Sequence, residues 1–410
     1  MFLADLHIHS KYSRATSLKA DLENLGNVAL KKGIHVIATG DFTHPQWLKE
    51  IKEKLKPAEK GLFKLKDCET RFFLSTEISC IYSKKGKVRK LHILVFAPDL
   101  KAVENINQRL SKIGNLKADG RPILGLDAKE LLKIALSASN DCLVVPAHIM
   151  TPWFGLFGSK SGFDSVEECF EEESKNIYAL ETGLSADPAL IWRLADGRRL
   201  TLISNSDAHS PQKLGREANA FDTELNYPSI IKAIKEKKGF LYTIEFYPQE
   251  GKYHFDGHRN CNVSLSPKES KKYNSLCPVC GKPLTLGVAH RIEELADKEE
   301  GFRPQGAIPF KSLIPLEEII AEALGCGVKT KKAAKYYNQL LKTFKTEFNI
   351  LLDVSKQELE KETLPEIVEA IIRVRQGRVM INPGYDGVYG EVGIFSKKER
   401  NKFAAQKVLF

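Results

Sequence analysis

No apolar run in the chain reaches the ~18–20 residues that a membrane span requires. Nothing ahead of the first strand-like stretch resembles a secretory leader. These absences exclude a membrane partner and lead to the expectation of a cytoplasmic protein. There is no internal repeat and no low-complexity tract. Disulfide-type cysteine usage is also missing: of eight cysteines, Cys68, Cys80, Cys142, Cys169 and Cys326 are scattered, as buried free thiols in a reducing compartment are. Only Cys261, Cys277 and Cys280 cluster. With 42% hydrophobic and 28% charged residues over 410 positions, the chain is globular and longer than one ordinary domain.

What is present in excess is positive charge. Lys and Arg number 62 against 52 Asp and Glu, a net +10. Basic runs stand at 84–90 (KKGKVRK), 235–238, 329–335 (KTKKAAK) and 397–402. Each alone reads as a solvated face; together they favour a polyanionic partner, nucleic acid first.

The chemistry begins at ADLHIHS, residues 4–10. Side chains alternate along a strand, so His7 and His9 share a face roughly 6–7 Å apart, a spacing that suits a metal. Ser204-Asn205-Ser206-Asp207-Ala208-His209 repeats the i, i+2 geometry after the short apolar run 200–203. Between the two copies, Asp41 ends HVIATGD, Glu77 ends RFFLSTE, His92 opens HILVFAP and His148 ends CLVVPAH. Ligand-type residues at the ends of several strands are how an α/β barrel assembles a metal cluster at one mouth.

Strand and helix signals alternate up to residue 245: a helix over 19–32, a strand over 34–39, a helix from an Asp127 N-cap to about 139 with Glu130 completing a capping-box pair, a strand over 142–147, a helix over 164–174 and a strand over 177–181. The loop 151–162, TPWFGLFGSKSG, carries Trp153, Phe154 and Phe157 among glycines, either as a small apolar lid or as a DNA-contacting wedge. Beyond it, Cys277-x-x-Cys280-Gly281 is a zinc knuckle, with Gly281 permitting the tight backbone. His258-x-x-Cys261 supplies the matching pair, with His254 as the rival fourth ligand of one structural zinc. Helical patterns follow at 315–324, 331–344 and 364–376, then a turn at 383–387 and a strand over 388–395.

HIHS, GD, TE, a lone His, PAH and SDAH in this order resemble the polymerase-and-histidinol-phosphatase (PHP) superfamily. That resemblance implies an α/β fold, a distorted seven-stranded β/α barrel holding two or three divalent ions (Zn, Mn or Mg). The ligand set it implies is His7, His9, Asp41, Glu77, His92, His148, Asp207 and His209. Thr39-Gly40-Asp41 stands where the superfamily has Thr-Asp-His, with His44 as a possible substitute, and Arg14 lies near the place of a further histidine. EGKYHFDGHRNC and CPVCGKPLTLGVAHRIEELAD extend the likeness to the endonuclease Q family over nearly the whole chain. The domains implied are a barrel (1–245), a zinc-binding module (246–295), a mostly helical region (296–405) and a tail (406–410). The activity implied is hydrolysis of the phosphodiester 5′ of uracil, hypoxanthine, xanthine or an abasic site in double-stranded DNA. Asp207 would act at the metal centre and Arg14 on the scissile phosphate. The alternatives are a PHP-class phosphomonoesterase and a non-catalytic DNA-binding subunit. Finally, Gln406, Leu409 and Phe410 resemble the peptides that dock on the replication sliding clamp.

Overall fold

The computed structural model describes residues 1–396 and Glu399. Packing divides the chain into two units, one of residues 1–30, 34–244 and 290–310, the other of residues 31–33, 245–289 and 311 onward. Residues 290–310, which the sequence reading split between the zinc module and the helical region, therefore belong with the first unit. No helix among the described residues is long and apolar enough to cross a membrane.

The first unit is α/β. Strand Phe2–Asp5 pairs in parallel with Val36–Ala38, and that strand in parallel with Arg71–Phe73. On its other side Phe2–Asp5 pairs antiparallel with Ala218–Phe221. A second ladder centres on the long hairpin Ser75–Lys84 and Lys87–Phe96, flanked by Ile123–Leu124 and Leu143–Pro146. Ala179–Glu181 and Thr201–Ile203 form a third, parallel pair. The resemblance implied one seven-stranded barrel; the strands of this unit are hydrogen-bonded as three ladders, joined by contacts such as Ile149 N–H to Glu181 O (3.1 Å) and the Ile8–Ala208 bridge. Inward side chains from all three, including Ala4, Val36, Phe73, Leu94, Val145, Ala179 and Ile203, meet in one buried core. Burying such residues is worth roughly 1.5–3 kcal/mol for each large side chain, which fixes the strand ends relative to one another.

Several local expectations shift. The basic run 84–90 is the tip of the hairpin, with Lys85 and Gly86 both at positive φ (51° and 72°) as a two-residue turn of that hand requires. Asp127 caps Ala128–Ala138 through the Lys129 N–H (2.8 Å), but Glu130 turns to Lys133 (3.0 Å) instead of closing a capping box. The helix expected over 164–174 is α-helical only over Val166–Phe170; Glu171 at φ 52° ends it and a 3₁₀ segment follows.

In the second unit, Asp256–His258 and Val263–Leu265 form a small hairpin over the buried Val263, Cys277 and Leu284. Leu316–Leu324, Lys331–Phe344, Glu347–Leu352, Lys356–Glu362 and Pro365–Arg375 are helices, the middle three capped by Thr330, Thr346 and Ser355. The strand expected over 388–395 is Glu391–Gly393 alone, paired with Met380–Asn382. The residues before it form a turn held by Asp386, which accepts from Arg259 N–H (2.6 Å) and Thr285 Oγ1 (2.7 Å). Gln406, Leu409 and Phe410 lie outside the described residues.

Candidate active site

Three ladders end at one place, and each exits through a strained residue. Asp41, His148 and Asp207 follow the strands Val36–Ala38, Leu143–Pro146 and Thr201–Ile203, and all three hold positive φ (49°, 28° and 47°). Non-glycine residues seldom adopt this conformation, and it persists where the surrounding structure enforces it, commonly at functional sites. Gly40 explains the Thr-Gly-Asp spelling: a Cβ there would lie 2.2 Å from Ile8 O, so glycine lets this strand end close on the His7–His9 strand.

His7, His9, Glu77 and Asp207 converge on one point, and Glu77, His92 and His148 on a second. His9 Nε2 lies 3.1 Å from both Glu77 Oε2 and Asp207 Oδ1, and His7 Nε2 lies 3.5 Å from each. A tetrahedral site with metal–nitrogen bonds near 2.0–2.1 Å sets its donors about 3.3 Å apart. The other Glu77 oxygen, Oε1, is 2.8 Å from His92 Nδ1 and 2.9 Å from His148 Nε2. Glu77 thus turns one oxygen to each group, the arrangement of a bridging carboxylate.

Three of the four atoms facing the first point make no hydrogen bond. His7 Nε2, His9 Nε2 and Asp207 Oδ1 are buried and unpaired, a costly state unless something else satisfies them. The opposite ring nitrogens show what. His7 Nδ1 donates to Glu181, 3.0 Å from both oxygens, and His9 Nδ1 to Asp41 Oδ1 at 2.9 Å. A carboxylate only accepts, so each Nδ1 carries the proton and each Nε2 presents a lone pair inward. His148 Nδ1 likewise donates to Thr151 Oγ1 (3.0 Å), whose own proton goes to the His148 carbonyl. Carboxylate–histidine pairs of this kind hold a ligating imidazole in the required tautomer and orientation. The residues fit a divalent cation at each point.

The titration behaviour agrees. Burial alone would lower His7 and His9, but Glu181, Glu77, Asp207 and Asp41 outweigh it and both are raised well above 6.5. Against the same burial, His92, Arg121 and His7 hold Glu77 ionised, well below its usual range. Burial takes His92 down to about 4. This is a net-anionic cage that takes up protons when no metal competes for it.

Not every expected residue joins the two groups. Asp41 is spent on His9, Ser10 N–H (2.7 Å), Ser10 Oγ (2.6 Å) and Ser13 Oγ (3.0 Å), so its oxygens hold His9 from behind and face neither group. His209 stands outside both groups, donating to Asp207 O at 2.8 Å with its ring 4.5 Å from that of His9. His44 stacks on Tyr12 at 4.5 Å and replaces nothing. Arg14 is 76% exposed and paired with Asp119 (3.1 Å), not with a member of either group. In the aromatic loop Phe157 is buried in the core, Phe154 covers the His92 ring at 4.3 Å, and only Trp153 stays exposed, with Lys90 Nζ 4.8 Å from its ring. Arg291 pins this loop by donating to Phe157 O (3.0 Å) and Phe163 O (3.2 Å).

Two residues beside the metal groups were not anticipated. Glu181 ends an apolar run, IYALE, so the reasoning that singled out Glu77 applied to it as well. Arg121, whose Nη1 donates to Glu77 Oε2 at 2.9 Å, has no such signal.

In the second unit His258, Cys261, Cys277 and Cys280 present donors within 4.8 Å of one another. His254 is instead buried beside Phe255, and burial lowers it to about 4. Burial would raise Cys277, but the N–H groups of Cys280 and Val279 bring it down to about 7, while Cys280 pushes Cys261 up to about 11.

Comparison with known proteins now fixes the family. The chain matches the crystal structure of the lesion-specific endonuclease Q of Pyrococcus furiosus with a TM-score of 0.86 and 31% identity over 98% of both chains. The chain belongs to the endonuclease Q family. A second endonuclease Q structure, in complex with a 27-mer duplex bearing an abasic lesion at the active site, matches with a TM-score of 0.84 and 32% identity over 97% of both chains. Family models for a PHP-associated region and for the MJ0043 C-terminal domain match residues 189–238 and 315–378. The uncharacterized protein MJ0043 of Methanocaldococcus jannaschii is 35% identical over 259 residues, 60% of this chain, and the matched part is 32% of that relative's length.

Proposed function

We propose that the protein is a metal-dependent DNA repair endonuclease that hydrolyses the phosphodiester 5′ of a deaminated base (uracil, hypoxanthine or xanthine) or of an abasic site. The observation that carries this reading is the near-full-length likeness to an endonuclease Q solved on an abasic duplex, joined to two adjacent donor groups sharing Glu77.

In this reading His7, His9, Glu77 and Asp207 hold one divalent ion, and Glu77, His92 and His148 a second. Such a pair, when bound, lowers the pKa of an attacking water and offsets charge on the phosphate. The chain's own part is positioning. Glu181, Asp41 and Thr151 fix the imidazoles, Arg291 holds the loop that carries Phe154, and Phe154 shields the His92 side from water. The net charge of +10 draws in the duplex. Reading one altered base needs that nucleotide extruded, at a cost of a few kcal/mol that is smaller at a mispair or an abasic site. His258, Cys261, Cys277 and Cys280 hold a structural zinc. Tail residues Gln406, Leu409 and Phe410 tether the enzyme to the sliding clamp.

The test is incubation with Mn²⁺, Mg²⁺ or Zn²⁺ and labelled duplexes containing a single uracil, hypoxanthine, xanthine or abasic site, beside undamaged duplex and p-nitrophenyl phosphate. One cut, 5′ of the lesion, is the expected product. Turnover of the monoester with every duplex left intact would replace this reading with a phosphomonoesterase; duplex binding without any cleavage would replace it with a binding subunit.

A further inference from the structure

Arg121 occupies an unusual position. It stands two residues ahead of the strand Ile123–Leu124, which runs parallel to Ser75–Lys84 with Ser79 opposite Ile123, and its Nη1 lies 2.9 Å from Glu77, the carboxylate shared by the two donor groups. The approach is closed by Gly120, where a Cβ would fall 2.4 Å from Asp41 Oδ2 and from Ser13 Oγ, so no other residue fits without displacing the carboxylate that orients His9. Gly120 N–H donates to Tyr12 O (3.0 Å), Thr43 Oγ1 donates to Gly120 O (3.3 Å), and Asp119 Oδ1 accepts the Arg121 N–H (3.1 Å). The segment is therefore anchored to Tyr12 and Thr43, closed on itself by Asp119, and carries a guanidinium into the site.

That guanidinium is only partly taken up by its carboxylate partner. One of its nitrogens donates to the fully buried Glu77, while 27% of the side chain remains exposed. A guanidinium has five N–H donors in a fixed fork that matches phosphate oxygens. Among the described residues it is the only Lys or Arg side chain paired with a member of either donor group. Arg14, the sequence candidate for a phosphate contact, is mostly exposed and pairs with Asp119 instead of with a member of either donor group.

We infer that Arg121 binds a non-bridging oxygen of the scissile phosphate while Glu77 holds its other edge; this rests on the hydrolase reading above. In the reaction water adds to phosphorus and loses a proton to solvent, the bond to the leaving sugar oxygen breaks, and that oxygen takes up a proton. Arg121 exchanges no proton and offsets the charge that builds on the phosphoryl oxygens. Removing one preorganised donor of this kind costs about 10²–10³-fold in rate.

The test uses the full-length, metal-loaded protein and its Arg121→Ala and Arg121→Lys variants. With an abasic duplex under single-turnover conditions, Arg121→Ala should be slowed about 10²–10³-fold, with wild-type metal content and duplex affinity. Added guanidinium ion should restore part of the rate to Arg121→Ala and none to Arg121→Lys. Orthophosphate binding, followed by calorimetry without turnover, should weaken at least about tenfold in Arg121→Ala. Equal phosphate affinity in wild type and Arg121→Ala overturns the inference, and so does loss of bound metal in step with activity, which would make Arg121 a structural counter-charge. A wild type that binds phosphate through Arg121 but leaves every lesion duplex uncut overturns the endonuclease reading and leaves this one standing.

Discussion

Glu181→Gln isolates the claim that carboxylates behind the imidazoles prepare the site. Glu181 Oε1 and Oε2 each lie 3.0 Å from His7 Nδ1, Oε2 also accepts His148 N–H at 2.8 Å, and Oε1 accepts Asn205 Nδ2 at 2.9 Å. Three donors therefore share two acceptors. Glutamine offers one acceptor and one N–H₂, so either amide orientation sets its nitrogen against a donor. If the nitrogen takes the Oε1 place it meets Asn205 Nδ2, and if it takes the Oε2 place it meets the His148 N–H. Either way a buried N–H is left unsatisfied, at about 1–3 kcal/mol, and His7 Nδ1 keeps one neutral acceptor where it had a charged pair. Losing a hydrogen-bonding partner behind a ligand typically weakens metal binding 10–100-fold, which corresponds to about 1.4–2.7 kcal/mol. The assay is titration of metal-stripped wild type and variant with Zn²⁺ against a chromophoric chelator, with a melting curve confirming that the variant is folded. A folded Glu181→Gln protein whose first metal affinity lies within twofold of wild type would refute the reasoning.

Three further outcomes follow from the same structure. Replacing Cys277 and Cys280 together with serine should remove one tightly held zinc and lower the melting temperature, because such a small apolar cluster relies on the ion for folding; unchanged zinc in elemental analysis would show that these thiols are not ligands. The raised folded-state pKa values of His7 and His9 give the metal-free protein stability that is fully present below the ordinary value of 6.5 and lost as pH rises through the higher folded values. Melting temperatures across that window should fall for stripped protein and be recovered by added Zn²⁺; parallel curves for stripped and loaded protein would contradict the anionic-cage description. Deleting residues 406–410 should abolish co-elution with the host sliding clamp and leave cleavage of short lesion duplexes at the wild-type rate, whereas a truncated chain that still binds the clamp removes the proposed tether.

What the sequence determined by itself was the inventory and its periodicity. Ligand-type residues at the ends of apolar runs named six of the positions that converge, because strand termini are legible wherever an apolar run stops and the i, i+2 spacing puts His7 and His9 on one face. The zinc group was legible for a similar reason, since Cys-x-x-Cys and His-x-x-Cys are local spacings set by one turn of backbone. Tertiary structure decided which of these donors share a centre. Asp41 and Glu181 are both strand-end carboxylates, and nothing local distinguishes a ligand from a residue that holds a ligand's far nitrogen; only the distances to His9 and His7 do. Arg121 lay in a stretch with no periodic signal, and its place depends on a parallel pairing with a strand some 40 residues away and on Gly120 fitting against Asp41. The same long-range packing placed Phe157 in the core and left Trp153 at the surface, a distinction an aromatic loop does not encode in its own residues. Pairings between distant segments are fixed by the whole core at once, so they are read from coordinates and not from spacing.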